Sequence, residues 1–288
     1  VGVVMAAGNL GKTKNQGVEL ELKHNNRIGK DFYYNVGFTF SHARNEILDM
    51  DEPDAKTGYR KQEGHPINQY FGLICDGFVT QADLDNPNFP KSTYGNVQVG
   101  DLKYRDMNGD GFIDDRDETF IGYSDIPENT YALTLGAQWK GIGFSVMFQG
   151  VDHVSRFYDA EAMFAFVNGG KVKEHHLGRW NPAMSEEYNL ANATYPLLHY
   201  DSYGNHNQRQ NSFFLKNGAF LRLKNIELSY SLPQSWIKKA AMKECRIYVN
   251  ASNLVTWDHL GGLTDPESNG SNRYPIMKTV NFGVNIQF

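Results

Sequence analysis

The sequence has 288 residues, of which 40 % are hydrophobic and 21 % charged, so it can build a packed structure and wholesale disorder is excluded. Its net charge of −5 argues against a surface for nucleic acid or for an anionic membrane, because both partners usually select a basic face. No run of about 18 apolar residues occurs, which excludes a transmembrane helix, and the start at Val1 leads us to expect a mature or truncated piece.

Apolar residues at every second position predict strands along much of the chain, and the 18 Phe, 16 Tyr and 28 Gly suit strands and tight turns. The alternating segments are residues 18–22, 32–40, 131–139, 144–148, 221–232, 247–251 and 280–288. Within 221–232 the apolar residues change phase. A β-bulge near Lys224–Asn225 would restore a single apolar face, whereas the alternative is a break between two short strands.

The connections between these strands alternate in length. Short ones lie at residues 24–30, 140–143 and 232–244, and long loops lie at about 42–128, 151–217 and 257–277. In an antiparallel meander, every second connection lies at the same end of the sheet. One end is therefore expected to carry short turns and the other large loops. Outer-membrane barrels have this asymmetry, with short periplasmic turns and long extracellular loops. A soluble sandwich alternates sides too, but rarely keeps such a size contrast.

One loop has the spacing of a calcium-binding motif. Oxygen ligands are expected from the side chains of Asp106, Asn108, Asp110, Asp114 and Asp117 and from the backbone carbonyl of Phe112. Gly111, at the sixth position, permits the sharp turn that brings both sides of the loop together. The sequence therefore predicts a structural Ca²⁺ site. Asp replaces Glu at the twelfth position and no helix pair flanks the loop, so an acidic surface turn remains the alternative.

Other signals are weaker. Glu174-His175-His176 is interpreted as solvated loop residues, since neighbouring histidines do not share one face. Cys75 and Cys245 are expected to be unpaired thiols. No motif for a nucleophile, a phosphate or a catalytic zinc is present, so we expect no enzyme. Aromatic loop residues could stack on a sugar or peptide, pack between loops or lie at a lipid interface; the candidates are Trp180, Tyr203 and Trp257.

A series of motifs, in order along nearly the whole chain, resembles SusC/RagA-type TonB-dependent transporters of Bacteroidetes-like bacteria. The motifs are Asn15–Leu20 (NQGVEL), Gly100–Gly111 (GDLKYRDMNGDG), Arg179–Pro182 (RWNP) with Tyr195–Pro196, Phe214–Leu215, Ala219–Asn225 (AFLRLKN) with Tyr230–Pro233, and Asn253–Leu254 with Asp265–Glu267.

The resemblance implies an all-β fold, namely the C-terminal portion of an antiparallel transmembrane β-barrel of about 22 strands with long extracellular loops. The plug domain and the TonB box are not visible in this chain. The implied function is uptake of oligosaccharides or peptides across a Gram-negative outer membrane, together with a SusD-like surface lipoprotein. TonB would act through a region outside this chain. Outer-membrane lipid is also an expected partner, and nucleic acid is not.

Phe288, which ends an alternating strand, resembles the signal read by the barrel-assembly machinery, and it can equally be a lipid-facing residue. Two alternatives from other classes remain. One is a secreted, calcium-stabilised β-sandwich that binds glycan, which predicts apolar residues on inward faces. The other is a glycan-cleaving β-enzyme, for which no focal pair of carboxylates is evident.

Overall fold

The structure is a computed structural model that describes residues 11–52, 57–158, 160–200, 206–268, 274 and 276–288. The chain forms two compact units. The sheet unit comprises Asn15–Asn45, Ile126–Val154 and Asn217–Phe288, and the loop unit comprises Val1–Lys14, Glu46–Asp125 and Ser155–Lys216. Within the described residues, no helix combines the length and the apolar character needed to cross a membrane.

The main sheet has seven strands, each hydrogen-bonded to the one before it in the chain. They are β1 (Lys12–Ile28), β2 (Phe32–Asp49), β3 (Asn129–Trp139), β4 (Ile142–Asp152), β5 (Phe220–Ser231), β6 (Glu244–Asp258) and β7 (Thr279–Gln287). The pairs from β2 to β7 are antiparallel. A tilted strand of about 9–11 residues crosses a bilayer core, and every strand here reaches that length. The predicted antiparallel, all-β fold is confirmed.

The predicted bulge lies at Lys224. On β4, Met147 pairs with Asn225 and the next residue, Phe148, pairs with Leu223, so Lys224 has no partner on that strand. The extra residue shifts the phase of β5 by one position. Leu223 and Ile226 therefore face the same side of the sheet, and the interpretation as two broken strands is wrong.

One face of the sheet is apolar across six adjacent strands. A row of register partners that runs across β2 to β7 shows the composition of this face: Val36, Leu135, Val146, Ile226, Ala251 and Val280. The neighbouring row on the other face is polar or small: Asn35, Gly136, Ser145, Glu227, Asn250 and Asn281. The two faces differ because side chains alternate along each strand.

The short connections all lie at one end of this sheet. Residues 29–31 join β1 to β2, residues 140–141 join β3 to β4, and residues 232–243 join β5 to β6. Trp139 pairs with Ile142, so only Lys140 and Gly141 form the turn, at φ of 47° and 89°. Positive φ at both central residues is the hairpin geometry that matches strand twist, and a Cβ at position 141 would lie 2.8 Å from the Ser231 carbonyl oxygen.

The connection of residues 232–243 is folded. It contains the helix Gln234–Ile237 and the 3-10 turn Lys238–Ala240, and Ile237 is buried. The long connections leave from the opposite end of the sheet, and β2 continues to Asp49, past His42, where the first long loop was expected to begin.

The loop unit is built from short elements. Its strands within the long connections are Gln69–Gly72, Cys75–Phe78, Lys91–Ser92, Leu102–Tyr104, Phe112–Ile113, Thr119–Ser124 and Ser155–Arg156, and Lys216–Asn217 follows at its border. Its helices and 3-10 turns are Gly58–Arg60, Gln81–Asp85, Asp115–Asp117, Ala160–Met163, Val167–Gly169, Glu174–Gly178, Glu186–Asn192 and His206–Gln208. Leu73, Val79, Leu102 and Phe214 are almost completely buried in it. The first two long connections therefore form a packed body with its own core.

Candidate functional surfaces and sites

The apolar face of the sheet unit is the largest candidate surface. Its side chains are exposed, with 83 % of Phe282, 57 % of Val284 and 52 % of Leu228 accessible. Soluble monomers rarely expose so broad and continuous an apolar patch, whereas a barrel wall presents one to lipid. The β-sandwich alternative required these residues to face inward under a second layer, and their exposure contradicts it.

The polar face holds a buried charge cluster. Arg222 on β5 is only 1 % exposed, and its Nη2 lies 2.6 Å from Oδ2 of Asp265 while its Nη1 lies 2.6 Å from Oε2 of Glu267. The guanidinium also lies 5.5 Å from the centroid of the Phe220 ring. Two carboxylates thus compensate one buried cation. The cluster attaches the connection between β6 and β7 to the polar face of the sheet.

At the short-connection end, the polar face contains a cavity of about 390 Å³. Its lining includes Arg27, Lys30, Tyr33, Gln138 and Arg246. Arg246 forms an ion pair with Glu227 on the neighbouring strand β5. The cavity is a polar environment on the side of the wall opposite the apolar face.

In the acidic loop of residues 106–117, aspartate side chains accept hydrogen bonds from backbone N–H groups of the same loop. The two carboxylate oxygens of Asp106 accept hydrogen bonds from the N–H groups of Gly109 and Gly111, at 2.7 and 2.8 Å. Asp117, which is fully buried, accepts from the N–H groups of Met107 and Asp114, both at 2.9 Å. The expected sharp turn at Gly111 is present, with φ of 79°.

A side chain that the calcium interpretation did not include lies among the carboxylates. Nη2 of Arg116 lies 2.6 Å from Oδ2 of Asp110 and 2.7 Å from Oδ2 of Asp114, and its hydrogen bond to Asp114 lowers the pKa of that carboxyl. Across the described residues, no three His, Cys, Asp or Glu side chains are grouped so that they could hold a metal ion. In this arrangement the predicted ligands Asp106, Asn108, Asp110, Phe112, Asp114 and Asp117 do not fit a calcium ion, because a guanidinium already compensates two of the carboxylates.

Trp180 packs within the loop unit. It is 3 % exposed, and its ring lies edge-on to Phe78 with centroids 5.5 Å apart. Gly100 covers the ring, at φ of 93°, and a Cβ there would lie 2.4 Å from Cδ1 of Trp180. The backbone N–H of Trp180 donates to the carbonyl of Tyr195 at 2.7 Å. The burial of the ring favours packing between loop segments, one of the three roles considered for this residue, over contact with a ligand.

Trp257 lies on the apolar face of the sheet. It pairs with Leu221 on β5 and is 52 % exposed. This position favours the lipid-interface interpretation over contact with a ligand, because the side chain faces away from the polar side. The third candidate, Tyr203, lies outside the described residues.

His176 is completely buried, so the interpretation of Glu174-His175-His176 as solvated residues is wrong at this position. Its Nδ1 accepts from the N–H of Lys173 at 2.8 Å, and its Nε2 therefore donates to the carbonyl of Met163 at 2.9 Å. Burial lowers the pKa of this imidazole. Through these two hydrogen bonds, the neutral ring connects two segments of the loop unit.

A second buried polar network joins Asp101 and Leu102 to His199, His206 and Asn207. Asp101 is 1 % exposed, and its Oδ1 lies 2.5 Å from Nε2 of His199 and 2.8 Å from Nδ2 of Asn207. His206, also buried, binds the carbonyl of Leu102 through Nε2 at 2.6 Å, and burial lowers its pKa. Sequence reasoning missed this network, because its members lie about a hundred positions apart.

No family model matches the sequence. The chain is 25 % identical to TonB-dependent receptor P3 of Formosa agariphila, in a match that covers 100 % of this chain and 30 % of that protein. It is also 25 % identical to TonB-dependent receptor SusC of Bacteroides thetaiotaomicron, over 97 % of this chain and 27 % of that protein.

Among solved structures, the RagAB peptide transporter matches with a TM-score of 0.69 and 25 % identity, over 97 % of this chain and 30 % of that one. The chain therefore spans about 30 % of the length of the proteins it matches. The resemblance inferred from the motifs is confirmed: over nearly its whole length, the chain is similar to a barrel portion of SusC/RagA-type TonB-dependent transporters.

Proposed function

We propose that this chain forms barrel wall and extracellular loops of a TonB-dependent importer in the outer membrane of a Gram-negative bacterium. The observation that carries the proposal is the apolar face of the sheet unit, exposed across adjacent strands and opposed by a polar face. The connections add support, since the short ones all lie at one end of the sheet, as periplasmic turns do. The matched receptors and transporters supply the function class.

The cargo and partners belong to the same proposal. Oligosaccharide and peptide are both retained as substrates; the matched RagAB structure is described as a peptide transporter, which supports the second. A SusD-like surface lipoprotein would meet the loop unit, and TonB would act through a region outside this chain. The chain itself would perform no chemistry, consistent with relatives that are receptors and transporters.

Phe288 is proposed as part of the signal for barrel assembly. It is 72 % exposed at the short-connection end, and its backbone oxygen accepts a hydrogen bond from Nζ of Lys243 at 2.8 Å. Replacing Phe288 with Ala should reduce the amount of assembled protein in the outer membrane, while Phe282→Ala on the same face should reduce it less. Equal losses would assign Phe288 only a lipid-facing role.

Cysteine labelling in intact cells tests the proposed topology. In the intact protein with Cys75→Ala and Cys245→Ala, a cysteine is introduced either at Leu177, which is 72 % exposed in the loop unit, or at Lys239, which is exposed in a short connection. A membrane-impermeant maleimide should label the first site in whole cells and the second only after lysis. Labelling of both sites in whole cells, or recovery of the protein without detergent, would contradict the proposal.

Growth of a deletion strain on defined polysaccharides and on peptides then identifies the cargo. Loss of growth on one class alone, restored by the wild-type gene, would name that class. Growth on every tested source at the wild-type rate would contradict a role in uptake of these nutrients.

A further inference from the structure

Positive charge is concentrated at the short-connection end of the sheet unit. Residues 27–31, 140–141 and 232–244 contain six lysines and arginines but only two acids, although the whole chain has a net charge of −5. We call the six cations the cationic rim: Arg27, Lys30, Lys140, Lys238, Lys239 and Lys243. All six are exposed. The net charge of the whole chain does not reveal this rim, because the acidic residues elsewhere make the total negative.

The charges of the rim are not compensated. In the part of the chain that the structure describes, none of the six cations has a side-chain carboxylate within ion-pair distance. Lys243 donates to a backbone oxygen of Phe288 and Arg27 donates to the carbonyl of Lys30, so neither is bound to a side-chain carboxylate. Nζ of Lys140 lies 5.4 Å from the centroid of the Trp139 ring. None of the six is therefore paired with a side-chain carboxylate, and Arg27, Lys30 and Lys140 also line the cavity at this end of the polar face.

Part of the rim adjoins the apolar face. Trp139 and Ile142 are the last register pair before the turn that carries Lys140, and they are 52 % and 43 % exposed. Trp236 is 64 % exposed and lies two residues before Lys238 in the chain. Phe288 is 72 % exposed, and its backbone oxygen accepts a hydrogen bond from Lys243. An exposed apolar surface that ends in aromatic rings and then in ammonium groups matches the order of acyl chain, interface and headgroup in a bilayer.

We propose that the part of the cationic rim formed by Lys140, Lys238, Lys239 and Lys243 binds the phosphate groups of anionic phospholipids in the leaflet next to the short connections. This inference rests on the proposed function, since it requires the apolar face to lie in a membrane. Lysine and arginine near a membrane surface attract anionic headgroups by about 1 kcal/mol each before screening by salt. A free phosphate would gain nothing from the adjacent apolar residues, whereas a phospholipid contacts the rim and the apolar face together.

The test uses the intact protein in nanodiscs that contain equal amounts of phosphatidylglycerol and phosphatidylcholine. Lipids that remain bound after transfer to detergent are counted by native mass spectrometry, and phosphatidylglycerol should be enriched. Replacement of Lys140, Lys238, Lys239 and Lys243 with Gln should reduce that enrichment about tenfold, because about four headgroup attractions are lost and partly screened. Millimolar inorganic phosphate should not displace the retained lipid.

The matched control replaces four exposed lysines of the loop unit with Gln: Lys12, Lys14, Lys91 and Lys171. It changes the net charge equally and should keep the enrichment. Equal retention of the two lipids by the wild type, or an equal loss in the control, would overturn the lipid proposal alone. Failure of the wild type to enter nanodiscs would overturn the proposed function as well, so the two failures are distinguishable. A heat-modifiable band on gels verifies that each variant is folded.

Discussion

Nη2 of Arg222 on β5 lies 2.6 Å from Oδ2 of Asp265, in the connection that follows β6, and both residues belong to motifs through which the sequence resembles SusC/RagA-type transporters. The arginine is 1 % exposed, so its charge depends on this partner and on Glu267. The pair joins a strand to a loop that is 43 positions away in the chain.

Replacing Asp265 with Asn should destabilise the sheet unit by roughly 3 kcal/mol, because a buried cation loses one of its two compensating charges. The measurement is the temperature at which the folded band disappears on semi-native gels. The control is Lys224→Gln, which removes a half-buried pair with Glu267 at 3.3 Å and should cost no more than about 1 kcal/mol. Equal shifts in the two variants would contradict the role of the buried pair.

Gly100→Ala should loosen the loop unit, because the new Cβ would lie 2.4 Å from the ring of Trp180. Gly95 is the matched control, since its φ of 139° is also positive but a Cβ there would meet nothing within 4 Å. We expect a cost of about 1 kcal/mol at Gly95 from backbone conformation and about 1–3 kcal/mol more at Gly100 from overpacking. Amide hydrogen exchange across residues 95–102 and 178–197 measures the difference. Identical exchange in the two variants would contradict the packing role of Trp180.

The stability of the loop unit should depend on pH through His176 and His206. Burial lowers the pKa of both imidazoles below 6.5, so the unfolded chain binds more protons than the folded one just below pH 6.5. Stability is therefore full above pH 6.5 and falls as the pH drops below it. Near His206, Asp101 opposes the shift and His199 adds to it.

Proteolysis rates of the intact protein between pH 8 and pH 5, with a protease active over that range, measure this dependence. His206→Gln should flatten the profile, because a neutral amide has no proton to gain. A profile equally steep in wild type and variant would contradict the assignment to His206.

Calcium affinity should increase when Arg116 is removed. The guanidinium lies against Asp110 and Asp114, so a bound Ca²⁺ would have to displace it. In calorimetric titrations of the purified protein, Arg116→Ala should bind Ca²⁺ more tightly than the wild type, and Arg116→Ala with Asp110→Ala should lose that gain. Tight binding by the wild type with no change in Arg116→Ala would show that the arginine does not compete with the ion.

The sequence pattern predicted those structural features that depend only on residues close together in the chain. Alternation along each strand determined the two faces of the sheet, because side chains alternate with a period of two. The phase change around Lys224 located the bulge for the same reason, and the lengths of the connections indicated which end of the sheet carries the loops. The ordered motifs indicated the similarity to SusC/RagA-type transporters without any contact being known.

Contacts between distant residues were decided only by the tertiary structure. Nothing in the sequence pairs Arg222 with Asp265, covers Trp180 with Gly100 or buries His176, because burial depends on which segments the fold brings together. Arg116 was visible in the acidic loop, but only its position shows that it neutralises two predicted calcium ligands. The net charge of −5 suggested no basic face, and the strand order gathered six cations at one end, since a sum over the chain contains no information about position.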